Sequence, residues 1–195
     1  MRRFTLKSVT SGTLFGRGVT ANMISRVAKT LLVAASAFFY TLVVFNNLTD
    51  YDSNYKFLHH VLLMDSTLPG NHAMWRAIHP LWIHTVFYDS IIAWEIISML
   101  LMWAGTAQLL RAIGKTDTAF QSAKYLSIAG LTVGMLMWFG AFLSVGGEWF
   151  LMWQSTTWNG QDGAFRMFLV DGVILVLLVT PEVESHEDQE KVRLR

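Results

Sequence analysis

YLSIAGLTVGMLMWFGAFLSVGG, residues 125–147, is a run of 23 residues without one charged side chain. A helix needs about 20 apolar residues to cross a hydrocarbon core ~30 Å thick, at a rise of ~1.5 Å per residue. The run does not alternate with a period of two, so a strand of a membrane barrel is not indicated. We therefore predict a transmembrane α-helix, which satisfies its backbone polar groups internally.

Three further segments resemble it, at about residues 28–46, 81–103 and 164–180. The last is the shortest and contains Asp171, so a re-entrant or buried segment is the alternative for it. Of the whole chain, 53% is hydrophobic and 15% is charged, against roughly 25% charged residues in soluble domains. We predict a single all-α domain, an integral membrane four-helix bundle.

The loops predict an orientation, because Lys and Arg near span ends are retained on the cytoplasmic side. Twelve of the fifteen basic residues fall in the N-terminal region, the loop between the second and third spans, and the tail. We predict cytoplasmic N and C termini, with residues 1–24 as an N-terminal extension and 181–195 as a charged tail. A bacterial inner membrane fits this bias, although the acid-free start also resembles a mitochondrial presequence.

Composition excludes several classes of site. The chain has no cysteine, so disulfides, thiolate zinc sites and iron–sulfur clusters are excluded. Its net charge of +1 does not favour nucleic-acid binding. Neither a nucleophile–base pair nor a cofactor motif is visible, so an enzyme is the weakest of the functional hypotheses.

The first outward loop, residues 47–78, is long enough to fold. Within SNYKFLHHVLLMD, apolar residues recur at helical spacing, which predicts an amphipathic helix on the outer membrane face or on the bundle, with Asp52 or Ser53 as its N-cap. A turn is predicted at Leu68-Pro69-Gly70. Pro80 fits the start of the second span.

The second outward loop, GGEWFLMWQSTTWNGQDGAFR, combines tryptophans with polar side chains. An aromatic belt at the membrane–water boundary explains this composition, and a binding surface shared with the first outward loop is the sharper hypothesis. The candidate binding residues of this surface are Asp52, His60, Glu148, Trp149, Trp153, Gln154, Trp158 and Asn159.

Polar residues also lie within the spans, where ionisable groups are costly and face the bundle interior. They are His84, Asp89, Glu95 and Asp171. At 100° per residue, His84 and Glu95 fall on nearly the same helix face while Asp89 points elsewhere. These acids fit either a proton path or structural pairing, in which Lys29 reaches Glu95 and Arg166 reaches Glu148 or Asp171.

Five histidines lie on or near the outer side: His59, His60, His72, His79 and His84. Imidazole is a ligand for copper or zinc, but the spacings match no established ligand motif, so these are weak metal candidates. His84 alone lies within a span, which disfavours a haem held by two histidines in the membrane. We predict no cofactor.

The stretches NNLTDYDSNYKFLHHVLLMD, NHAMWRAI and GGEWFLMWQSTTWNGQDGAFR resemble those of a bacterial family of predicted small integral membrane proteins, a domain of unknown function. The resemblance covers roughly residues 25–180. It implies a four-helix membrane protein and no established activity.

Two functions remain open. The first is a non-enzymatic binding, accessory or scaffold protein, whose outward loops form a polar and aromatic cap that contacts another envelope protein, a second copy or a small ligand. The alternative is a small proton, ion or metal transporter that uses Asp89, Glu95, Glu148 and Asp171 as a carboxylate path. The bilayer is the one partner that the spans require.

Overall fold

A computed structural model describes residues 11–181 of the chain, with side chains from residue 22 onward. The first ten residues and the predicted tail from 182 on lie outside the described residues. The described part is helical and contains no strand. Its elements are α1 (Ser11–Thr49), α2 (Tyr51–Leu63), a 3-10 turn (Met74–Arg76), α3 (Leu81–Ala112), α4 (Asp117–Ala123), α5 (Tyr125–Leu136), a π-helical segment (Met137–Trp149), a second 3-10 turn (Met152–Gln154) and α6 (Gln161–Val179).

Three helical stretches of the described chain are long and apolar enough to cross a membrane: Asn22–Thr49, Leu81–Ala112 and Asp117–Trp149. They contain the first three predicted spans, and each extends beyond the predicted bounds. The fourth predicted span lies in α6, which is not one of the three. α6 is 19 residues long and carries Asp162, Arg166 and Asp171.

The long helices pack around a core that includes Val33, Met102 and Leu131, each fully buried. α3 lies between α1 and α5, and α6 packs on α5, the π-helical segment and α1. Small residues permit the close approach of α3 and α5. A Cβ on Gly105 would lie 2.5 Å from the backbone nitrogen of Ser127, and one on Gly130 would lie 3.0 Å from that of Met102.

The predicted third span changes its helix type halfway along. From Met137 to Trp149 its backbone is π-helical, and Phe150 N still donates to Val145 O at 3.0 Å. Such i→i+5 geometry is rare and occurs often at functional sites. It alters the angular spacing of side chains just where Trp138 and Phe142 face the other helices.

The two connecting segments at one end of the bundle fold together into a cap, comprising residues 51–78 and 150–160. Its own apolar core is formed by Val61, Leu62, Met64, Phe150 and Met152. Ser66 Oγ donates to Ser155 Oγ at 2.8 Å, and Leu68 N donates to Gln154 Oε1 at 3.1 Å.

The predictions made for the first outward loop are partly confirmed. The predicted helix in the first loop is α2, but it begins at Tyr51, so Asp52 and Ser53 lie inside its first turn rather than at its N-cap. The residue before it, Asp50, instead accepts a hydrogen bond from Ser53 Oγ at 2.7 Å. The predicted turn is present, with Gly70 at a φ of +79°, and Pro80 directly precedes α3.

The opposite end of the bundle is fastened by cationic side chains that bond to carbonyl groups. Arg26 donates to Ile113 O at 2.8 Å and Lys115 O at 2.7 Å, and it also pairs with Asp117. Lys29 Nζ donates to Thr180 O at 2.7 Å. The hypothesis that Lys29 reaches Glu95 is therefore wrong, because its ammonium group lies at the end of α6.

Candidate functional site

A cavity of about 250 Å³ lies where the cap meets the membrane-length helices. α1, α2, α3 and the π-helical segment all contribute to its wall. The side chains that give it chemical character are Asn47, Asn54, Phe57, Tyr88, Glu95, Trp138 and Phe142. Residues far apart in the chain meet here only because α1 and α3 are antiparallel and α2 turns onto α3.

Among the described residues, Glu95 is the one acidic side chain in this wall, and it is 3% exposed. Asn47 Nδ2 donates to its Oε2 at 2.6 Å. The side-chain Oδ1 of Asn47 in turn accepts hydrogen bonds from Asn54 Nδ2 at 2.6 Å and from the Tyr88 hydroxyl at 3.3 Å. Thus neutral groups from three helices orient a buried carboxyl group toward a cavity.

A second buried carboxyl group connects to the same wall through aromatic side chains. Trp138 Nε1 donates to the Tyr40 hydroxyl at 2.7 Å, and that hydroxyl donates to Asp171 Oδ2 at 2.8 Å. Asp171 is fully buried, and none of the described residues forms a hydrogen bond with its Oδ1. Gly134 makes room for this contact, because a Cβ there would lie 3.0 Å from Tyr40 Cζ.

The other two acids of the predicted carboxylate path lie on the surface. Asp89 is exposed and accepts from the Tyr51 hydroxyl at 2.8 Å. Burial, followed by this hydrogen bond, raises the pKa of Tyr51 to about 12. Glu148 is also exposed. The structure therefore brings only Glu95 and Asp171 into the interior, and a path through all four acids is not formed.

The hypothesis that Arg166 pairs with Glu148 or Asp171 is likewise wrong. Arg166 is exposed on α6, and its Nε donates to Asp162 O at 3.1 Å. Among the residues whose side chains are described, neither Glu95 nor Asp171 forms a salt bridge. Both carboxyl groups are therefore held by neutral donors.

Two of the five histidines are joined by a hydrogen bond between their rings. His59 Nδ1 and His84 Nδ1 are 2.8 Å apart, and His84 Nε2 lies 2.7 Å from Ile78 O. A carbonyl only accepts, so His84 donates through Nε2 and, when neutral, accepts at Nδ1 from His59. Burial, and then the neighbouring rings of His84 and His60, lower the pKa of His59.

Of the remaining histidines, His60 meets the ring of His59 edge-on, with centroids 5.4 Å apart. His60 Nδ1 donates to Asp65 Oδ2 at 2.7 Å, and its ring stacks on Trp158 with centroids 4.4 Å apart. His72 and His79 are exposed. Within the described part of the chain, no group of three or more His, Asp or Glu side chains has the arrangement of a metal site.

The predicted binding surface is divided by the fold of the cap. His60, Trp158 and Gln154 are engaged in contacts between its two segments. Trp149 packs against Arg76, whose guanidinium group lies 4.8 Å from the indole centroid and donates to Trp149 O. The side chains that remain exposed are Asp52, Glu148, Trp149, Trp153 and Asn159.

An apolar groove of about 470 Å³ adjoins the cavity between α3 and the π-helical segment. Leu58 and Ile91 line both spaces and separate them. Exposed side chains such as Val86 and Val145 form the outer edge of the groove. This face of the helices therefore has an indentation where the backbone is π-helical.

Sequence reasoning missed the residues that surround the two buried acids: Asn47, Asn54, Tyr88, Tyr40 and Trp138. Asn47 had a weak local signal, since it directly follows the predicted first span and an amide next to apolar surroundings requires a partner. The aromatic residues had none, because an apolar ring in a span is more often only packed against its neighbours.

Comparison with known proteins supports the membrane assignment. A family model described as "Predicted small integral membrane protein (DUF2165)" matches residues 25–181. No curated protein and no solved structure matches the chain.

Proposed function

We propose that this chain, which belongs to the family of predicted small integral membrane proteins, is a non-enzymatic binding protein of the membrane. Its ligand is a small molecule, which occupies the cavity beneath the cap. Glu95 anchors this ligand, and the contacts within the cap hold α2 in place as one wall of the site.

The burial of Glu95 against the cavity carries the proposal. Burying a carboxyl group costs free energy unless its interactions compensate. An apolar side chain would fill the same space without that cost. The Glu95 side chain faces a cavity with aromatic walls, and among the described side chains its hydrogen-bond donor is the Asn47 amide. A recognition role explains both the polar group and the unfilled volume.

Native mass spectrometry in a mild non-ionic detergent tests this proposal. Leu58→Trp should fill the cavity from its α2 wall and abolish a bound small-molecule mass that the wild-type protein carries. Leu68→Trp is the matched control, since Leu68 is 56% exposed in the cap. A wild-type protein without any bound small molecule would refute the binding role.

We place the protein in a bacterial inner membrane with both termini cytoplasmic and α6 as a fourth span. α6 begins beside the cap, where Gly160 approaches Phe57, and it ends where Lys29 bonds to Thr180 O. It therefore runs from the cap to the opposite end of the bundle, as the three longer helices do. The predominance of basic residues in the segments away from the cap supports the orientation.

Single cysteines test this topology, because the natural chain has none. Trp153→Cys should react with a membrane-impermeant maleimide in intact cells. Lys115→Cys and Thr180→Cys should react only after permeabilisation. If Thr180→Cys reacted in intact cells while Lys115→Cys did not, α6 would not be a span.

The cap and the adjoining end of the π-helical segment also present a surface for a second copy or another envelope protein. Trp149 and Trp153 are 47% and 49% exposed, with Glu148 and Asn159 exposed nearby. Exposed tryptophans are enriched at interfaces and at membrane boundaries alike. Cross-linking from Trp153→Cys in membranes would separate the two, since a lipid-facing residue gives no protein adduct.

Proton transport is the second candidate, favoured by the hydrogen bonds from Trp138 to Tyr40 and from Tyr40 to Asp171. Trp138 lines the cavity of Glu95 and also bonds to Tyr40, so one side chain lies between the surroundings of the two buried acids. In liposomes, Glu95→Gln with Asp171→Asn should then abolish proton flux. Asp89→Asn with Glu148→Gln is the matched control on the surface acids. Equal flux in both double variants would reject transport.

A further inference from the structure

The cavity beneath the cap has aromatic walls from three elements. Phe57 comes from α2, Tyr88 from α3, and Trp138 and Phe142 from the π-helical segment. The face of an aromatic ring carries negative electrostatic potential and attracts cations within about 6 Å of its centroid. Several rings around one small space are therefore a recurrent way of holding an organic ammonium group.

Glu95 places a carboxyl group in the same wall. It is 3% exposed and is bonded by Asn47, while no Lys, Arg or His of the described side chains lies within salt-bridge distance. A carboxylate in such surroundings favours a cationic neighbour, because neutral amides compensate only part of the charge. The cavity thus combines a counterion with aromatic surfaces.

We propose that this cavity binds a small alkylammonium ion, with Glu95 as its counterion and the aromatic side chains around its alkyl groups. The assignment rests on the binding role proposed above. A volume of about 250 Å³ suits a molecule the size of a quaternary ammonium head group. A bare metal ion fits less well, because hard cations require several oxygen ligands.

Choline and its neutral isostere 3,3-dimethyl-1-butanol provide the probes. Titration calorimetry of the full chain in a non-ionic detergent without any ammonium group should show saturable binding of choline. The isostere should bind at least about tenfold more weakly, since it lacks the charge that Glu95 and the rings recognise.

Variants separate charge from shape. Glu95→Gln retains an oxygen that accepts from Asn47, and it should weaken choline binding at least about tenfold. Glu95→Asp retains the charge and should keep part of the affinity. Trp138→Leu should weaken binding severalfold. Asp162→Asn, which changes an exposed acid of α6, is the matched control and should bind like the wild type.

The outcomes distinguish this inference from the broader binding role. Equal binding of choline and the isostere, or full choline affinity in a folded Glu95→Gln variant, would overturn the ammonium assignment and leave a neutral-ligand site. Absence of choline binding, together with a different small molecule on the native protein, would do the same. Absence of every bound molecule would refute both.

Discussion

His59 and His84 join α2 to α3 through facing Nδ1 atoms 2.8 Å apart. His84 is fully buried, and its Nε2 donates to Ile78 O. One proton therefore lies between the two facing nitrogens when both rings are neutral. Protonation of both rings would set one N–H against another, so this junction requires that at least one of the two rings stays neutral.

The stability of the cap should fall as pH decreases below about 6.5, the ordinary pKa of histidine. Burial, and then the rings of His84 and His60, lower the pKa of His59, while Asp65 opposes them. Because the pKa of His59 is lower in the folded state, the unfolded chain binds a proton first as pH falls. The contribution of His59 to stability is complete above its pKa in the unfolded chain, and it is lost as pH falls through its lower pKa in the folded protein.

Melting temperatures between pH 7.5 and 5.5 check this prediction. His59→Gln can still donate an amide N–H to His84, and its melting temperature should decrease less than that of the wild type. His72→Gln, at an exposed position, should keep the wild-type slope. Identical slopes for wild type and His59→Gln would show that the pair does not titrate.

Trp158→Ala should destabilise the cap by about 1–3 kcal/mol, because the indole packs between both cap segments. Its ring stacks on His60 at 4.4 Å between centroids and meets Phe57 edge-on at 6.4 Å. Trp153→Ala is the control, since Trp153 is 49% exposed, and it should change stability by less than about 0.5 kcal/mol. Chemical unfolding in detergent measures both, and a larger loss for Trp153→Ala would contradict this packing.

Arg26→Ala should cost about 3 kcal/mol, as expected when one partner of a largely buried pair is removed. Arg26 is 6% exposed and bonds to two carbonyls after α3 as well as to Asp117. Arg26→Lys should recover only part of this loss, because an ammonium group lacks the planar fork of donors. Arg111→Ala, an exposed change, should lie within about 0.5 kcal/mol of wild type in the same unfolding measurement.

Helical periodicity and apolar length predicted what depends on a single element. Three membrane-length helices lie where the apolar runs indicated, and the eleven-residue spacing of His84 and Glu95 puts both on the buried face of α3 while Asp89 is exposed. These features follow from the 100° rotation per residue. The amphipathic pattern of the first loop likewise indicated α2.

Features that depend on two elements were not predictable in the same way. The contact of Asn47 with Glu95 requires the relative register of α1 and α3, which no local pattern encodes. The pairings predicted for Lys29 and Arg166 failed because each side chain instead bonds to a backbone carbonyl, that of Thr180 just after α6 and that of Asp162 within it. The π-helical segment has no distinct apolar pattern, so its effect on Trp138 was not visible in the sequence.

Gly134→Ala should destabilise the protein by about 1–3 kcal/mol, because the added methyl group meets an occupied space. Its Cβ would lie 3.0 Å from Tyr40 Cζ and 3.1 Å from Asp171 Oδ2, and closer still to the Tyr40 hydroxyl. Tyr40→Phe removes that hydroxyl but leaves Asp171 without its donor, which costs a further ~1–3 kcal/mol.

The double variant Gly134→Ala with Tyr40→Phe separates these two costs. Without the hydroxyl, the methyl group has space, so the double variant should lose less stability than the sum of the single changes. Gly163→Ala is the control, because a Cβ there meets nothing within 4 Å, and its effect should add to that of Tyr40→Phe. Additive losses for Gly134→Ala and Tyr40→Phe would mean that the space left at Gly134 is not what lets the Tyr40 hydroxyl reach Asp171.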